Sequence, residues 1–501
     1  MDFDAIVIGS GAGGGTIAGE LAARGWRVLL TERGRSLDDE ALFQDEEAML
    51  ERRVASDDRR PRINGRATRP IVGSLPGGST ALFGAVLMRP SPFDFRPGAV
   101  YGDRIPESIA DWPIDYATLE PYLERAEDLF EVAGDDDAMA PHLGRRRSPY
   151  KVALPALEPV NQRLRDAWAA EGRGAFRLPL AIDFGRCQRC SGCPGFLCPA
   201  DARGSSLQRA VRPRLGAGLE LWEGAEVTRL EWSGRRVTGV RVRADETGRE
   251  TRVCAPAVVV SAGAIGSPAL LLASGVPDAS GQIGRNHMCH LGTLAVAAFR
   301  DPIGADERFV KQLGWSDDYL GIDGLAAKLG VVQQIPIPGP RSIAHELGLP
   351  LPRGLAERLR SRLLLFAGTL EDLPDPDNRV TIDASGAIAL RRRFTRYDVE
   401  RARRWGRHIA RRLRRGGADL AFHHVARRSH DHLAHQVGTC RFGHDPRSSV
   451  LDADCRVHGL DNLWVVDGSF MPTSLGVGPA LTIAANALRV ADRLDGGGAP
   501  A

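Results

Sequence analysis

A glycine-rich segment close to the start of the chain has the residue types that hold a pyrophosphate. Gly9, Gly11 and Gly14 follow an apolar run, in the order Gly-Ser-Gly-Ala-Gly-Gly. Gly9 permits a tight turn, Gly11 lets the backbone approach the phosphates, and Gly14 allows a helix to pack closely on a strand. The N–H groups and partial positive charge of that helix N-terminus favour phosphate oxygens. Glu32 is spaced to accept hydrogen bonds from ribose hydroxyls, and its neighbour Arg33 is a further candidate contact.

The elements that must position these glycines are visible in the same forty residues. The apolar run 5–8 precedes the turn, a helical pattern follows it, and a second apolar run, 28–30, leads to Glu32. Strand, glycine turn, helix, strand and acid in this order predict the first unit of a Rossmann-like α/β domain. A glycine-rich turn without a ligand is the simpler alternative, and the spacing of the acid argues against it. The motif alone does not distinguish FAD from NAD.

A histidine near the other end of the chain has the chemistry of a proton acceptor. His435 opens the segment His-Gln-Val-Gly-Thr-Cys-Arg, and the ordinary pKa of an imidazole lies close to neutral pH. Further on, an apolar run closes at Asp467 and Gly468, where a carboxylate can hold a cofactor hydroxyl or, through water, the pyrophosphate. Pro479 suits the first turn of a helix because it has no N–H to leave unpaired. The N-terminus of that helix would stabilise negative charge on a cofactor ring.

These segments, together with others in the same chain order, resemble the glucose-methanol-choline (GMC) oxidoreductases over roughly residues 3–495. The matching motifs lie at 77–80, 112–113, 119–122, 258–268, 283–286, 376–380 and 479–483. The resemblance implies FAD as the cofactor, with Gly78 and Ser79 in the loop that contacts the flavin and Val227 beside the adenine. It also implies a Rossmann-like FAD-binding domain and an α+β substrate domain with an antiparallel sheet.

The chemistry that the resemblance implies is oxidation of an alcohol carbon in a small polar substrate. His435 would take the hydroxyl proton while hydride passes to flavin N5. A sugar or glycoside is the weakly favoured substrate class. The electron acceptor is not specified by the sequence.

One position departs from the family pattern. GMC enzymes usually place a second His or Asn 43 positions after the first, and here that position is Gly478. Another side chain, such as His432 or His290, could replace it. Alternatively Gly478 makes room for a bulky substrate, or the reaction is not plain alcohol oxidation. As the residue before Pro479, Gly478 is also a candidate cofactor contact.

Four cysteines crowd into a short segment of the chain. Cys187, Cys190, Cys193 and Cys198 read C-x2-C-x2-C-x4-C-Pro, which is one residue longer in the last gap than a bacterial ferredoxin run. An iron–sulfur cluster or zinc is one interpretation; disulfides or free thiols are the other, and no metal ligand is assigned. The alternative functions are a dehydrogenase that passes electrons through such a cluster, a flavin-bearing lyase of the same fold, and a non-catalytic subunit.

The composition and length of the chain limit the number of domains and the classes of partner that we expect. With 501 residues, two intertwined domains are expected. A net charge of +3 argues against a nucleic-acid partner, and no apolar stretch is long enough to cross a membrane. The first apolar run begins almost at Met1 and leaves no room for a signal peptide, which predicts a cytoplasmic location.

The motifs predict two domains, each of which is formed by separate segments of the chain. We expect the FAD-binding domain at about 1–90, 180–290 and 440–501. The substrate domain is then expected at about 91–179 and 291–439.

Overall fold

The computed structural model describes most of the chain. The described residues are 3–70, 72–101, 108–135, 140–190, 192–303, 309–337, 339–347, 351–425 and 435–496. The described strands, in chain order, are β1 (Ala5–Ile8), β2 (Val28–Glu32), β3 (Arg62–Ile63), β4 (Arg66–Ala67), β5 (Phe176–Arg177), β6 (Leu219–Glu223), β7 (Ala225–Ser233), β8 (Arg236–Ala244), β9 (Glu250–Val253), β10 (Ala257–Val260), β11 (Leu291–Ala298), β12 (Leu313–Trp315), β13 (Val332–Ile335), β14 (Leu363–Leu370), β15 (Arg379–Ile382), β16 (Ile388–Arg391), β17 (Leu420–Val425) and β18 (Leu463–Val465). The helices are α1 (Ala12–Ala23), α2 (Pro97–Tyr101), α3 (Tyr116–Leu129), α4 (Pro159–Ala170), α5 (Gly263–Ala273), α6 (Pro340–Leu347), α7 (Arg353–Arg360), α8 (Arg396–Arg415) and α9 (Ala480–Gly496).

A parallel sheet of five strands, in the order β18-β10-β1-β2-β6, forms the first layer. Ile6 at its centre lies between Leu29 and Val258, and every residue of β1, β2 and β10 is buried. Such continuous apolar strands are typical of a parallel sheet covered on both faces. The helix α1 connects β1 to β2 and packs against α9. The predicted Rossmann-like α/β fold is confirmed.

The carboxyl ends of three neighbouring strands meet at one edge of this sheet. Strand β1 leads into Gly9, β10 leads into Ser261, and β18 leads to Asp467. Ligands of open α/β sheets bind at this edge because the turns that follow the strands present backbone N–H groups there. The topology therefore gathers segments from both ends of the chain around one place.

The second layer is a six-stranded antiparallel sheet in the order β17-β11-β14-β13-β12-β5. Buried and half-buried residues alternate along β11, as expected of a sheet with one face on the core. The helix α8 packs across β11 and β17, and Thr395 with Asp398 forms a capping box at its start. The antiparallel sheet that the resemblance implied is confirmed.

Two smaller sheets complete the fold. Strands β7, β8 and β9 form one, and β15, β16, β3 and β4 form the other. The latter joins residues 62–67 to residues 379–391, which the sequence analysis assigned to different domains. The domain boundaries themselves stay a prediction. Among the described helices, none combines the length and the apolar character needed to cross a membrane.

Candidate functional site

The glycine-rich turn has the shape of a cradle for an anionic group. A Cβ atom at Gly14 would overlap the carbonyl oxygen of Gly9, so only glycine allows α1 to lie this close to the turn. By contrast, a Cβ atom at Gly11 would meet no atom of the described residues within 4 Å. Gly11 is the N-cap of α1, and its position carries no side-chain cap. The start of α1 therefore has no side-chain cap and has open space beside Gly11, which suits a pyrophosphate.

Glu32 orders this turn from the end of β2. Its carboxylate accepts hydrogen bonds from the Ser10 N–H (3.1 Å), the Ser10 hydroxyl (2.6 Å) and the Gly34 N–H (2.9 Å). The Ser10 hydroxyl also accepts from the N–H of Gly77 (2.9 Å), which ties the loop 77–80 to the turn. Glu32 thus lies where a ribose contact was predicted, and that contact stays a prediction.

Arg33 follows β2, and Val227 lies in β7, which contacts β2. The guanidinium of Arg33 forms ion pairs with Asp57 (2.7 Å) and Asp58 (2.7 Å), so its side chain is engaged by the chain itself. Val227 is buried in β7, next to an irregularity in the pairing of β7 with β8. The irregularity leaves local backbone outside the regular ladder, which is compatible with the predicted contact of Val227 with adenine.

The loop that was predicted to contact the flavin passes directly over the turn. Gly78 has a φ of +50°, and a Cβ atom there would lie 2.9 Å from the Cα of Gly11. Ser79 is exposed in the protein chain, and its hydroxyl accepts from the N–H of Gly73 (3.2 Å). The backbone of Gly78 and the hydroxyl of Ser79 therefore lie beside the cradle.

Asp467 and Gly468 connect the cofactor edge to the histidine segment. The carboxylate of Asp467 accepts from the N–H groups of Gly263 (3.0 Å) and Ser469 (2.8 Å). A Cβ atom at Gly468 would lie 2.7 Å from the carbonyl oxygen of Gln436, the residue after His435. The turn that closes β18 is therefore packed against the backbone of the residue that follows the candidate base.

Buried hydroxyl groups near this edge lack a hydrogen-bond partner within the described chain. They include those of Ser261, whose Cβ lies where a side chain at Gly14 would be, and of Thr482 in the first turn of α9. Buried hydroxyl groups without a partner are costly, so an absent polar ligand is the simplest explanation. Pro479 lies just before α9 rather than within it, and its carbonyl accepts the helix bond from Ile483 (2.9 Å). Together with the cradle, these groups fit an extended dinucleotide.

His435 occupies a constrained backbone position beside this edge. Its φ is +60°, a region that non-glycine residues seldom adopt and that often marks functional sites. Reciprocal backbone hydrogen bonds between Met288 and Val437 (3.0 and 2.9 Å) hold the segment. This antiparallel pair places His435 opposite His290. Burial, and to a lesser extent His290, lower the pKa of His435 to about 3, so its ring is neutral at physiological pH.

His290 contacts His435 directly. The Nδ1 atoms of the two rings are 2.8 Å apart, and the rings meet edge to face with centroids 4.9 Å apart. The Nε2 of His290 lies 3.0 Å from the carbonyl oxygen of Ser474 and 3.1 Å from that of Leu475. Both nitrogens of His290 therefore lie within hydrogen-bond distance of other groups of the chain, and a role for His290 as the second substrate contact stays a prediction. His432, the other residue considered for that role, lies outside the described residues.

Gly478 lies beside the edge of the His435 ring that carries Nε2. A Cβ atom at Gly478 would be 3.5 Å from Nε2 of His435 and, among the described residues, would meet atoms of no other residue within 4 Å. The position that carries a second polar side chain in the family pattern is therefore open space here. This observation favours the interpretation that Gly478 makes room for substrate.

Two family models match the chain. The N-terminal model described as GMC oxidoreductase matches residues 3–292, and the C-terminal model matches residues 374–487. The chain belongs to the GMC oxidoreductases. The predicted resemblance is confirmed, and so is the prediction of an oxidoreductase.

Relatives of this GMC oxidoreductase cover nearly its full length. It is 33% identical to the 6'''-hydroxyparomomycin C oxidase of Streptomyces lividus, over 97% of this chain and 90% of the relative. It is 30% identical to the paromamine 6'-oxidase of Streptomyces fradiae, over 99% and 91%. Among solved structures, pyridoxine 4-oxidase from Mesorbium loti matches with a TM-score of 0.66 and 23% identity, over 99% of both chains. That last likeness supports the fold.

The cysteine segment of this GMC oxidoreductase lines a cavity of its own. Cys187, Cys190, Cys193 and Cys198 share that cavity with Arg203, and Cys190 is exposed. All eight cysteines fall within the described residues, where they are free thiols. Within that part of the chain, no three His, Cys, Asp or Glu residues are arranged to hold a metal ion. An iron–sulfur or zinc site therefore has no geometric support.

Two contributors to the site were not predicted in their observed roles. Ser10 bridges Glu32 and Gly77, although its place inside the glycine motif was the only sequence signal. His290 was considered as a substrate contact and instead contacts the candidate base. Its position 145 residues before His435 leaves no local pattern that links the two.

Proposed function

We propose that this GMC oxidoreductase uses FAD to oxidise a CH–OH group of a small polar substrate, with His435 as the base. The observation that carries the proposal is the placement of His435. Its Nε2 edge borders the open space at Gly478, and the backbone of the next residue, Gln436, is packed against Gly468. FAD, when bound, supplies the acceptor for the hydride that leaves the substrate carbon. The residues of the chain must then bind the cofactor, orient the alcohol and remove its proton.

Each group of site residues has a defined task in this proposal. The N–H groups at the start of α1 bind the pyrophosphate, and Gly11 gives it room. The N-terminus of α9 and the hydroxyl of Thr482 would help to hold the flavin, and the helix dipole would stabilise negative charge on its ring. The neutral imidazole of His435 accepts the hydroxyl proton at Nε2.

A glycoside is the substrate class that we propose. The two relatives above are named as oxidases of 6'''-hydroxyparomomycin C and of paromamine. A bulky ring that carries a hydroxymethyl group needs room beside the base, and Gly478 provides it. A cytoplasmic location is part of the same proposal, since eight free thiols suit a reducing compartment.

Anaerobic mixing tests the proposal and separates it from the alternatives. Purified holoenzyme is mixed with paromamine without oxygen, and the visible band of the flavin is followed. We expect the band to bleach as aldehyde forms. Product formation with an unchanged band would indicate a lyase, and neither change, with a wider panel of glycosides and polyols, would contradict the proposed chemistry. Oxygen admitted afterwards identifies the acceptor: rapid return of the band means an oxidase, and slow return means a dehydrogenase.

Replacing Gly478 by Ala tests the role of the open space. The added methyl makes only ordinary van der Waals contact with His435, so the fold should be unaffected. We expect kcat/KM to fall about tenfold, equivalent to about 1.4 kcal/mol, for a glycoside and to change little for a small primary alcohol. Gly354→Ala, at another open glycine in α7, is the matched control. An equal loss for both substrates would show that the methyl group interferes with the base itself, and that it does not act by excluding a bulky substrate.

A further inference from the structure

The positions of the protons in the pair of histidines follow from the partners of His290. Its Nε2 lies between the carbonyl oxygens of Ser474 and Leu475, at 3.0 and 3.1 Å. Carbonyl oxygens only accept hydrogen bonds, so Nε2 of His290 carries a hydrogen. Burial lowers the pKa of His290 to about 4, which keeps the ring neutral at physiological pH. A neutral imidazole has one N–H, and Nδ1 of His290 is therefore a bare acceptor.

That acceptor determines the tautomer of His435. The two Nδ1 atoms are 2.8 Å apart, a hydrogen-bond distance, and only His435 can supply the hydrogen. His435 therefore carries its proton on Nδ1 and a lone pair on Nε2. The Nε2 atom is the one that faces the open space at Gly478. A proton acceptor is thus aimed at the place where a substrate hydroxyl would lie.

We propose that His290 is a positioning residue that holds His435 in the Nδ1–H tautomer and directs the basic Nε2 towards the substrate. The kinetic part of this inference rests on the proposed function; the tautomer itself does not. His290 has no nitrogen left for the substrate and acts only through His435. The arrangement resembles the use of a second group to fix the tautomer of a catalytic histidine, with a neutral imidazole in the place of a carboxylate.

The carbonyl groups that orient His290 are themselves fixed by buried contacts. The hydroxyl of Ser474 accepts from the N–H of Asp372 (2.8 Å). The residue after Leu475, Gly476, donates its N–H to the hydroxyl of Tyr319 (3.1 Å), which in turn donates to Asp94 (2.6 Å). These partners leave the carbonyl oxygens of Ser474 and Leu475 in place, so His290 cannot reverse its ring without losing both bonds.

The same hydrogen bond serves His435 before and after it accepts a proton. In both states Nδ1 of His435 carries hydrogen, and Nδ1 of His290 remains free to accept it. The ring of His435 therefore need not rotate during turnover. Without the acceptor, the neutral ring would distribute between two tautomers, and the Nε2–H form cannot take a proton from the substrate.

Nitrogen NMR of the holoenzyme tests the tautomer directly. The chain has 12 histidines, so [15N]histidine-labelled protein is compared with a labelled His435→Asn variant to identify the His435 signals. At neutral pH we expect Nδ1 of His435 to be protonated and Nε2 to be unprotonated. A protonated Nε2 in the wild-type holoenzyme would overturn the proposal, whatever the enzyme turns over.

Two replacements of His290 separate positioning from simple packing. His290→Phe keeps a ring but removes the acceptor, whereas the side-chain oxygen of Asn in His290→Asn can accept from His435. We expect His290→Phe to lower kcat between about tenfold and 10⁴-fold with KM little changed, and to give the Nε2–H form of His435 in the NMR spectrum. His290→Asn should restore the Nδ1–H signal and most of kcat.

The outcomes distinguish this inference from the proposed function. If paromamine and other alcohols fail to bleach the flavin while the Nδ1–H tautomer is found, the proposed function fails and the tautomer assignment stands. If bleaching occurs but folded, FAD-loaded His290→Phe keeps kcat within about twofold of the wild type, the positioning role is refuted. If His290→Phe does not fold, the wild-type NMR spectrum and His290→Asn still decide the question.

Discussion

Replacing His435 by Asn is expected to lower kcat/KM by about 10²–10⁴-fold while FAD remains bound. Asn tolerates the positive φ of this position, and its amide N–H can still donate to His290. The variant therefore keeps the local structure and loses only the lone pair that accepts the proton. Stopped-flow reduction of the flavin by substrate measures the loss at the step concerned.

His458→Asn is the matched control for that variant. His458 is half-buried and its Nε2 lies 3.1 Å from the hydroxyl of Ser449, so it resembles His435 in exposure and in hydrogen bonding. It lies outside the proposed site, and its replacement should leave the rate of flavin reduction unchanged. Unchanged reduction in His435→Asn would instead remove this histidine from the mechanism.

The same assignment fixes the pH dependence of the wild-type enzyme. Only the unprotonated Nε2 accepts a proton, so protonation of His435 removes activity. Because burial lowers the pKa of His435 to about 3, kcat/KM should stay level as the pH falls from about 8 to about 5. An imidazole with an ordinary pKa of about 6.5 would lose most of its activity over that range, and such an acid limb would contradict the assignment.

The sequence alone was sufficient to predict those parts of the candidate site that are formed by residues close together in the chain. The glycine turn, the helix after it and the acid at the end of β2 are contiguous, and each needs a particular residue type for a steric or polar reason. The structure accordingly ends β2 at Glu32 and starts α1 one residue after Gly11. The turn at Asp467, after β18, could be predicted for the same reason, because an acidic residue follows a buried strand there.

Contacts between segments that are far apart in the chain could not be predicted from the sequence. The pairing of Met288 with Val437 sets the contact of His290 with His435, and no periodic pattern encodes that register. The ion pairs of Arg33 with Asp57 and Asp58 could not be predicted either, because they depend on a loop whose path is set by tertiary packing. In this chain the sequence predicted the base, and the structure was needed to propose which residue orients it.

Replacing Gly11 by Ala is expected to weaken FAD binding at least tenfold, equivalent to about 1.4 kcal/mol, with little effect on the apoprotein. The φ of Gly11 is −64°, which alanine adopts, and a Cβ atom would meet no atom within 4 Å in the part of the chain that the structure describes. The methyl would instead enter the space that the pyrophosphate needs. Titration of FAD into apoprotein, followed by quenching of flavin fluorescence, measures the change in Kd.

Two comparisons make the Gly11 experiment specific. Gly354→Ala adds a methyl at an equally open glycine in α7, far along the chain from the turn, and should leave the Kd for FAD unchanged. Apoprotein stability should change by no more than about 1 kcal/mol in Gly11→Ala, the cost of a poorer N-cap. Normal FAD affinity in folded Gly11→Ala would mean that the phosphates do not approach this turn. The cofactor would then have to lie elsewhere, and the open space beside Gly11 would need a different explanation.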